Sequence, residues 1–272
     1  MKHGWIASTV VLLLLALAAP TGGAAPDAPL AAISLTSGVP YTQNFDTLAN
    51  SGTSSTVPDG WAFNEIGSSA NTAYTAGTGS STTGDTYSFG ASGATERAFG
   101  GLQSSSLTPT IGVEFQNNTG TVISSLAVSY NCEQWRLGAL NRPDQMDFQY
   151  SLDATSLSTG AWTDVDTLDC SGVLSTGTTG AKDGNTNRIV VSDSITSLSI
   201  ANGATFWIRW NSSDASGADD GLAVDDFQMN VQNTTAVTLH TLSATSRSTA
   251  TAPVASLALL GSLAALMRRR KA

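Results

Sequence analysis

Residues 222–231 read Leu-Ala-Val-Asp-Asp-Phe-Gln-Met-Asn-Val, an apolar strand pattern interrupted by two adjacent aspartates. Side chains of an extended strand alternate between its two faces. In a regular strand Ala223, Asp225, Phe227, Met229 and Val231 share one face, so Asp225 turns inward with the large apolar groups. A bulge at the pair would instead turn Asp226 inward, behind Leu222 and Val224. In both registers one carboxylate is buried, which is costly without hydrogen-bond donors or a cation. Three roles answer that cost: acceptor of backbone N–H groups from a neighbouring loop, ligand of a structural Ca²⁺, or catalytic acid. Asp219 and Asp220 in the preceding loop bring the count to four acids within eight residues.

The rest of the chain repeats the strand pattern. Met146-Asp-Phe-Gln-Tyr-Ser-Leu152 alternates, with Met146, Phe148, Tyr150 and Leu152 inward. Residues 61–66 and 205–210 are further strands, and Asn117-Asn-Thr-Gly120 is a hairpin signal. About ten strands with short turns, and no sustained helical periodicity, predict an all-β fold. The architecture expected is a two-sheet antiparallel β-sandwich of jelly-roll type over residues 39–232. Residues 26–38 read as a patternless leader, and the Ser/Thr/Gly-rich residues 67–83 as an exposed loop.

Both ends read as addresses. Lys2, the apolar run 6–19 and small residues up to Ala25 make residues 1–25 a secretory signal peptide. A Ser/Thr-rich linker, 233–252, leads to residues 253–272, a hydrophobic helix closed by Arg268, Arg269, Arg270 and Lys271. Positive charge at the end of an apolar helix stays on the cytoplasmic side, so this segment anchors or sorts an exported chain at the membrane. The 12 Lys and Arg less the five in these terminal segments leave seven against 21 acids, a net charge of −14. Such a surface repels nucleic acid and favours cations.

The histidines exclude several chemistries. Only His3 and His240 occur, both outside the domain. Ser–His–Asp and Cys–His hydrolysis, His-ligated zinc and His general bases are therefore absent from it. Polysaccharide cleavage needs only two carboxylates, and Glu133 with Asp147 or Asp225 is the candidate pair. Cys132 and Cys170, the only cysteines, predict a disulfide in an exported chain, with two separate buried thiols as the alternative. Trp135 beside Glu133 and Arg136, and Trp207 on a second strand, are candidates for stacking on a sugar, or else core residues.

Ser256-Leu-Ala-Leu-Leu-Gly261 and the terminal Arg cluster resemble the C-terminal sorting signal of PEP-CTERM proteins, whose tail is read by a sorting protease; Ala252-Pro253-Val254 stands where that signal carries Pro-Glu-Pro. Asn44-Phe-Asp-Thr-Leu48, Pro58-Asp-Gly-Trp61, Gly84-Asp-Thr-Tyr-Ser-Phe-Gly90, Glu133-Gln-Trp-Arg136, Phe148-Gln-Tyr-Ser151 and Asp219-Asp-Gly-Leu-Ala-Val-Asp-Asp-Phe227 resemble a β-sandwich domain of bacterial surface proteins. More distantly, the first-strand Phe-Asp and last-strand Val-Asp-Asp-Phe are similar to jelly-roll carbohydrate-binding modules. That similarity implies a structural calcium with Asp46, Asp225 and Asp226 as ligands. The expectation is an exported, non-catalytic protein of the cell surface or extracellular matrix that binds exopolysaccharide. A polysaccharide-cleaving enzyme and a purely structural coat protein are the alternatives.

Overall fold

The computed structural model describes Met1 and residues 31–232. Apart from Met1, the signal segment lies outside the described residues, as do the whole of the linker and of the C-terminal segment.

The strands are β1 (Ile33–Leu35), β2 (Tyr41–Gln43), β3 (Thr53–Ser54), β4 (Trp61–Ile66), β5 (Tyr74–Gly77), β6 (Asp85–Phe89), β7 (Ala98–Leu102) and β8 (Thr108–Asn117). They continue as β9 (Leu126–Leu137), β10 (Gln145–Ser151), β11 (Thr163–Asp164), β12 (Cys170–Ser171), β13 (Gly180–Ala181), β14 (Arg188–Ile195), β15 (Thr205–Ser212) and β16 (Gly221–Val231). A 3₁₀ turn, Asp166–Leu168, lies between β11 and β12. The first sheet runs β1-β8-β15-β10-β11, with β4 also on β8 and β12 also on β10. The second runs β13-β9-β16-β7-β6-β5-β3, with β14 also on β9 and β2 also on β16. Pairing is antiparallel except between β1 and β8 and between β5 and β6. This is the two-sheet sandwich of jelly-roll type that the alternation predicts.

The inward side chains of both sheets meet in one core. Phe148 of β10, Phe206, Ile208 and Trp210 of β15, and Val128 and Tyr130 of β9 are all buried in it. Trp210 stacks on Trp61 at 6.0 Å, and both rings meet the edge or face of Phe227 from β16. Each such ring removes a large apolar area from water, and edge-to-face contacts add to that burial. Cys132 of β9 and Cys170 of β12 are bonded, with Cα atoms 5.2 Å apart. Because β9 and β12 belong to different sheets, the disulfide clamps the two layers; closing such a loop is worth roughly 3–4 kcal/mol.

Two expected loops contain strands. Ile33–Leu35, in the supposed leader, pairs with β8, and Leu35 is buried, so the folded unit starts ahead of residue 39. Within residues 67–83, Tyr74–Gly77 pairs with β6. The cause is Tyr74: its ring is buried, its hydroxyl donates to the Thr56 carbonyl at 2.8 Å, and it accepts from the Ala49 N–H at 2.9 Å.

Candidate functional site

The aspartate pair sits in a bulge. Val224 is opposite Cys132 and Asp225 opposite Asn131, but the next partner of β9 is Gln228, opposite Ser129. Asp226 takes φ 48°, a left-handed backbone that side chains other than Asn, Asp and Gly adopt rarely. The reason is phase. Leu222 and Val224 face the core, and so do Phe227 and Met229, yet 224 and 227 are three residues apart. A regular strand cannot send both inward, and one extra residue corrects the register.

The bulge overturns both expected placements of the pair. Asp225 is buried at 4% exposure, but on the face opposite Phe227, with Ala223; Asp226 is exposed and accepts from Asn131 Nδ2 at 2.8 Å. Asp225 instead meets Glu133 of β9 and Glu96 from the turn before β7. One carboxylate oxygen from each of the three lies within 4.8 Å of the others, a spacing that one metal ion can bridge. Glu133 is fully buried; Trp135 Nε1 donates to its Oε2 at 2.9 Å and Arg188 Nη1 to its Oε1 at 3.4 Å. Asn185 Nδ2 donates to Glu96 Oε2 at 2.7 Å. Asp225 Oδ1 and Glu96 Oε1 are buried without a hydrogen-bond partner. Burial pushes the Asp225 carboxyl up to about 8 against one backbone N–H from Asp226, with the charges of Asp226, Glu133 and Glu96 adding to the rise. Burial likewise pushes Glu133 up to about 7, opposed by Trp135 and Arg188.

Asp46, the third expected calcium ligand, is elsewhere engaged: Asn44 Nδ2 donates to its Oδ2 at 2.7 Å and the Arg97 N–H to its Oδ1 at 3.2 Å. Neither Asp46 nor Asp226 joins the converging acids. The role of accepting loop N–H groups falls to Asp220, whose Oδ1 takes the Gly138 N–H at 2.6 Å and whose Oδ2 takes Gln134 Nε2 at 2.7 Å.

The expected sugar-binding residues are covered. Trp135 keeps 2% exposure, stacked on Phe89 at 6.2 Å, and a Cβ at Gly184 would come within 2.2 Å of its indole nitrogen. Trp207 is fully buried, packed with Ala62, Ala154 and Leu157 beneath the segment after β10. Arg136 is turned to the Gly79 carbonyl at 3.2 Å. With Glu133 also sealed, Glu133, Trp135 and Trp207 present no face to a pyranose, and Glu133 no opening to a polysaccharide. Alternation places each outside the main core, but a second covering of loops buries them.

One open groove is on the first sheet. Gln145, Asp147 and Gln149 alternate outward on β10, flanked by Asp164, Asp166, Asp169 and Ser171, and together they line a groove of about 540 Å³. The two short strands β11 and β12 both pair with β10, and the 3₁₀ turn spans the gap between them. The groups are held in place: Gln145 Nε2 donates to Asp147 Oδ1 at 2.6 Å, Gln149 Nε2 to Asp164 Oδ1, and the Phe148 N–H to Asp169 Oδ1 at 2.7 Å. Ser213 Oγ donates to Asp147 Oδ2 at 2.7 Å. Burial, together with the charges of Asp147, Asp166 and Asp164, pushes Asp169 up to about 6 against the Phe148 N–H. Arg209 Nε donates to Gln149 Oε1 at 2.7 Å, and its guanidinium lies 3.9 Å over the half-exposed Trp162 ring. Among the described residues these aspartates do not converge as a metal-binding set. Asp147 and Gln149 were legible as outward residues; residues 162–168 read as one strand, and their division into β11 and a 3₁₀ turn, with β12 beyond, was not legible, since two-residue strands carry no periodicity.

No family model matches the sequence, and no curated protein does. Among solved structures the chain is similar to the enzymatically active domain of bacteriophage CBA120 tailspike protein 4, at 10% identity and TM-score 0.34, over 64% of this chain and 19% of that one. It is also similar to TmCBM61 in complex with beta-1,4-galactotriose, at 9% identity and TM-score 0.32, over 62% of this chain and 88% of that one. The Arthrobacter globiformis T6 isomalto-dextranase complexed with panose matches at 14% identity and TM-score 0.31, over 73% of this chain and 33% of that one.

Proposed function

We propose that the chain is an exported, non-catalytic protein of the cell surface or extracellular matrix that binds exopolysaccharide in the groove over β10. The observation that carries this reading is the groove itself: four carboxylates and two amides in an open cleft of about 540 Å³, oriented by one another and by the strand backbone. Such groups accept from and donate to sugar hydroxyls, and acceptors held in place before binding lose little freedom on binding. The half-exposed Trp162 is linked to the groove residue Gln149 through Arg209, which lies over its ring, and offers an aromatic surface for a pyranose. The negative charge of the lining favours neutral or amino-substituted glycans and disfavours polyuronates. The inter-sheet disulfide supports an oxidising destination, as the signal segment implies. Residues 253–272 would hold or sort the protein at the envelope.

The test is retention of the full-length protein on immobilised neutral polysaccharides and on polyuronates. Retention on a neutral glycan at moderate salt, with little on polyuronate, is the expected result. Retention on neither leaves a coat protein, and loss of glycan chain length on incubation leaves an enzyme.

A further inference from the structure

We propose that Glu96, Glu133 and Asp225 form a calcium site that fastens the turn before β7 to the outer face of the second sheet. The proposal is independent of glycan binding, because the three acids lie on the other sheet from the groove.

Geometry comes first. Oxygens sharing a Ca²⁺ ion lie about 2.3–2.6 Å from it, so no two can be more than about 5 Å apart. One oxygen from each of the three acids satisfies that limit, at 4.8 Å or less. Partnering comes second. Asp225 Oδ1 and Glu96 Oε1 are buried and have no hydrogen-bond donor, although other donors reach the cluster: Trp135 and Arg188 at Glu133, Asn185 at Glu96. A carboxylate oxygen removed from water without a donor costs more than almost any other buried polar atom, and a cation is the partner that serves two such oxygens together. Charge comes third. Among the described residues the only ion pair that any of the three acids makes is Glu133 with Arg188 at 3.4 Å, so Glu96 and Asp225 bring negative charge that no paired cation offsets.

The ligand set selects the ion. All three groups are hard oxygen donors, and no histidine or free cysteine among the described residues would draw zinc. Mg²⁺ demands a compact octahedron and keeps most of its water, whereas Ca²⁺ accepts irregular carboxylate sets. The local backbone is arranged for the purpose. Asp225 continues the alternation of Leu222 and Val224 and so faces outward, and the left-handed Asp226 lets it do so while Phe227 and Met229 return to the core. Glu96 is half-exposed and gives the ion its way in.

The experiment uses the full-length protein, stripped with chelator and titrated with Ca²⁺, and reads melting temperature together with Tb³⁺ luminescence excited through tryptophan. Trp135, bonded to Glu133, is the sensitising ring. One Ca²⁺ per chain is expected. A hundredfold excess over Kd should raise the melting temperature by roughly 5–10 °C, and EDTA should reverse the rise. Asp225→Asn and Glu96→Gln should each lose the calcium-dependent shift and the Tb³⁺ signal. Glu96→Gln, at the half-exposed position, should keep cooperative unfolding even where a buried substitution disturbs the fold. Asp164→Asn in the groove should change neither readout. A wild-type melting temperature indifferent to Ca²⁺ and EDTA overturns the proposal. So does calcium binding that survives in Glu96→Gln and Asp225→Asn but is lost in Asp164→Asn.

Discussion

Each sheet of the sandwich carries a group of acids on its outer face, and the two groups differ in what water can reach. Over β10, Asp147, Asp164, Asp166 and Asp169 stand in an open groove among amides and a hydroxyl. Beside β16, Glu133 and Asp225 are sealed by Trp135 and the turns carrying Glu96 and Asn185. Exposed carboxylates keep their solvation and can exchange water for sugar hydroxyls at small cost. Buried ones have already lost it and must be given a compensating partner by the fold. One kind of side chain thus suits ligand recognition on one sheet and a structural staple on the other, and burial makes the difference.

The contrast breaks most visibly if Trp207 is an accessible sugar platform after all. It shares the first sheet with the groove but lies under Ala154 and Leu157. Trp207→Ala should therefore cost about 3–5 kcal/mol in denaturant unfolding, the range for emptying a buried aromatic site. A variant of wild-type stability that has lost glycan binding would move Trp207 to the ligand surface.

Titration gives a smaller effect that sharpens the same contrast. Asp169 holds its proton up to about 6 in the folded protein, above the ordinary aspartate value near 3.8. The native state then binds the proton more tightly than the unfolded chain does. This group's contribution is complete below about pH 3.8 and is lost as pH rises through about 6. Asp169→Asn should remove that dependence, so the difference in urea midpoint between wild type and variant should shift between pH 4 and pH 7. A difference constant across that range would place Asp169 in ordinary solvent.

Much of the fold was legible because two-residue alternation is a strong signal. Residues 61–66 form β4 as bounded, and β10 alternates as read from Met146 to Gln149, but the reading fails at its end, where Ser151 is buried and Leu152 is exposed. The Cys132–Cys170 bond followed from there being only two cysteines in a chain read as exported. What failed was placement that depends on more than one strand. Whether Asp225 faces inward is decided by the mismatch between Val224 and Phe227, which the sequence displays but which a single regular or bulged register did not resolve correctly. Trp135 and Trp207 both alternate to the outer faces, but alternation says nothing about the loops that cover them. Glu96 joins Glu133 and Asp225 only through pairing between distant strands, and no spacing in the sequence announces it.

The most direct measurement compares retention on a neutral polysaccharide for the full-length wild type, a Gln149→Ala/Asp164→Asn variant and Asp225→Asn, with melting temperatures on the same samples. If the open groove is the ligand site and the sealed cluster a staple, the groove variant should lose retention at least tenfold. It should still unfold cooperatively, at a cost of about 1–3 kcal/mol, because Arg209 loses its acceptor Gln149. Asp225→Asn should keep retention wherever it remains folded. Retention that survives in the groove variant and disappears in folded Asp225→Asn would contradict the division between the two faces.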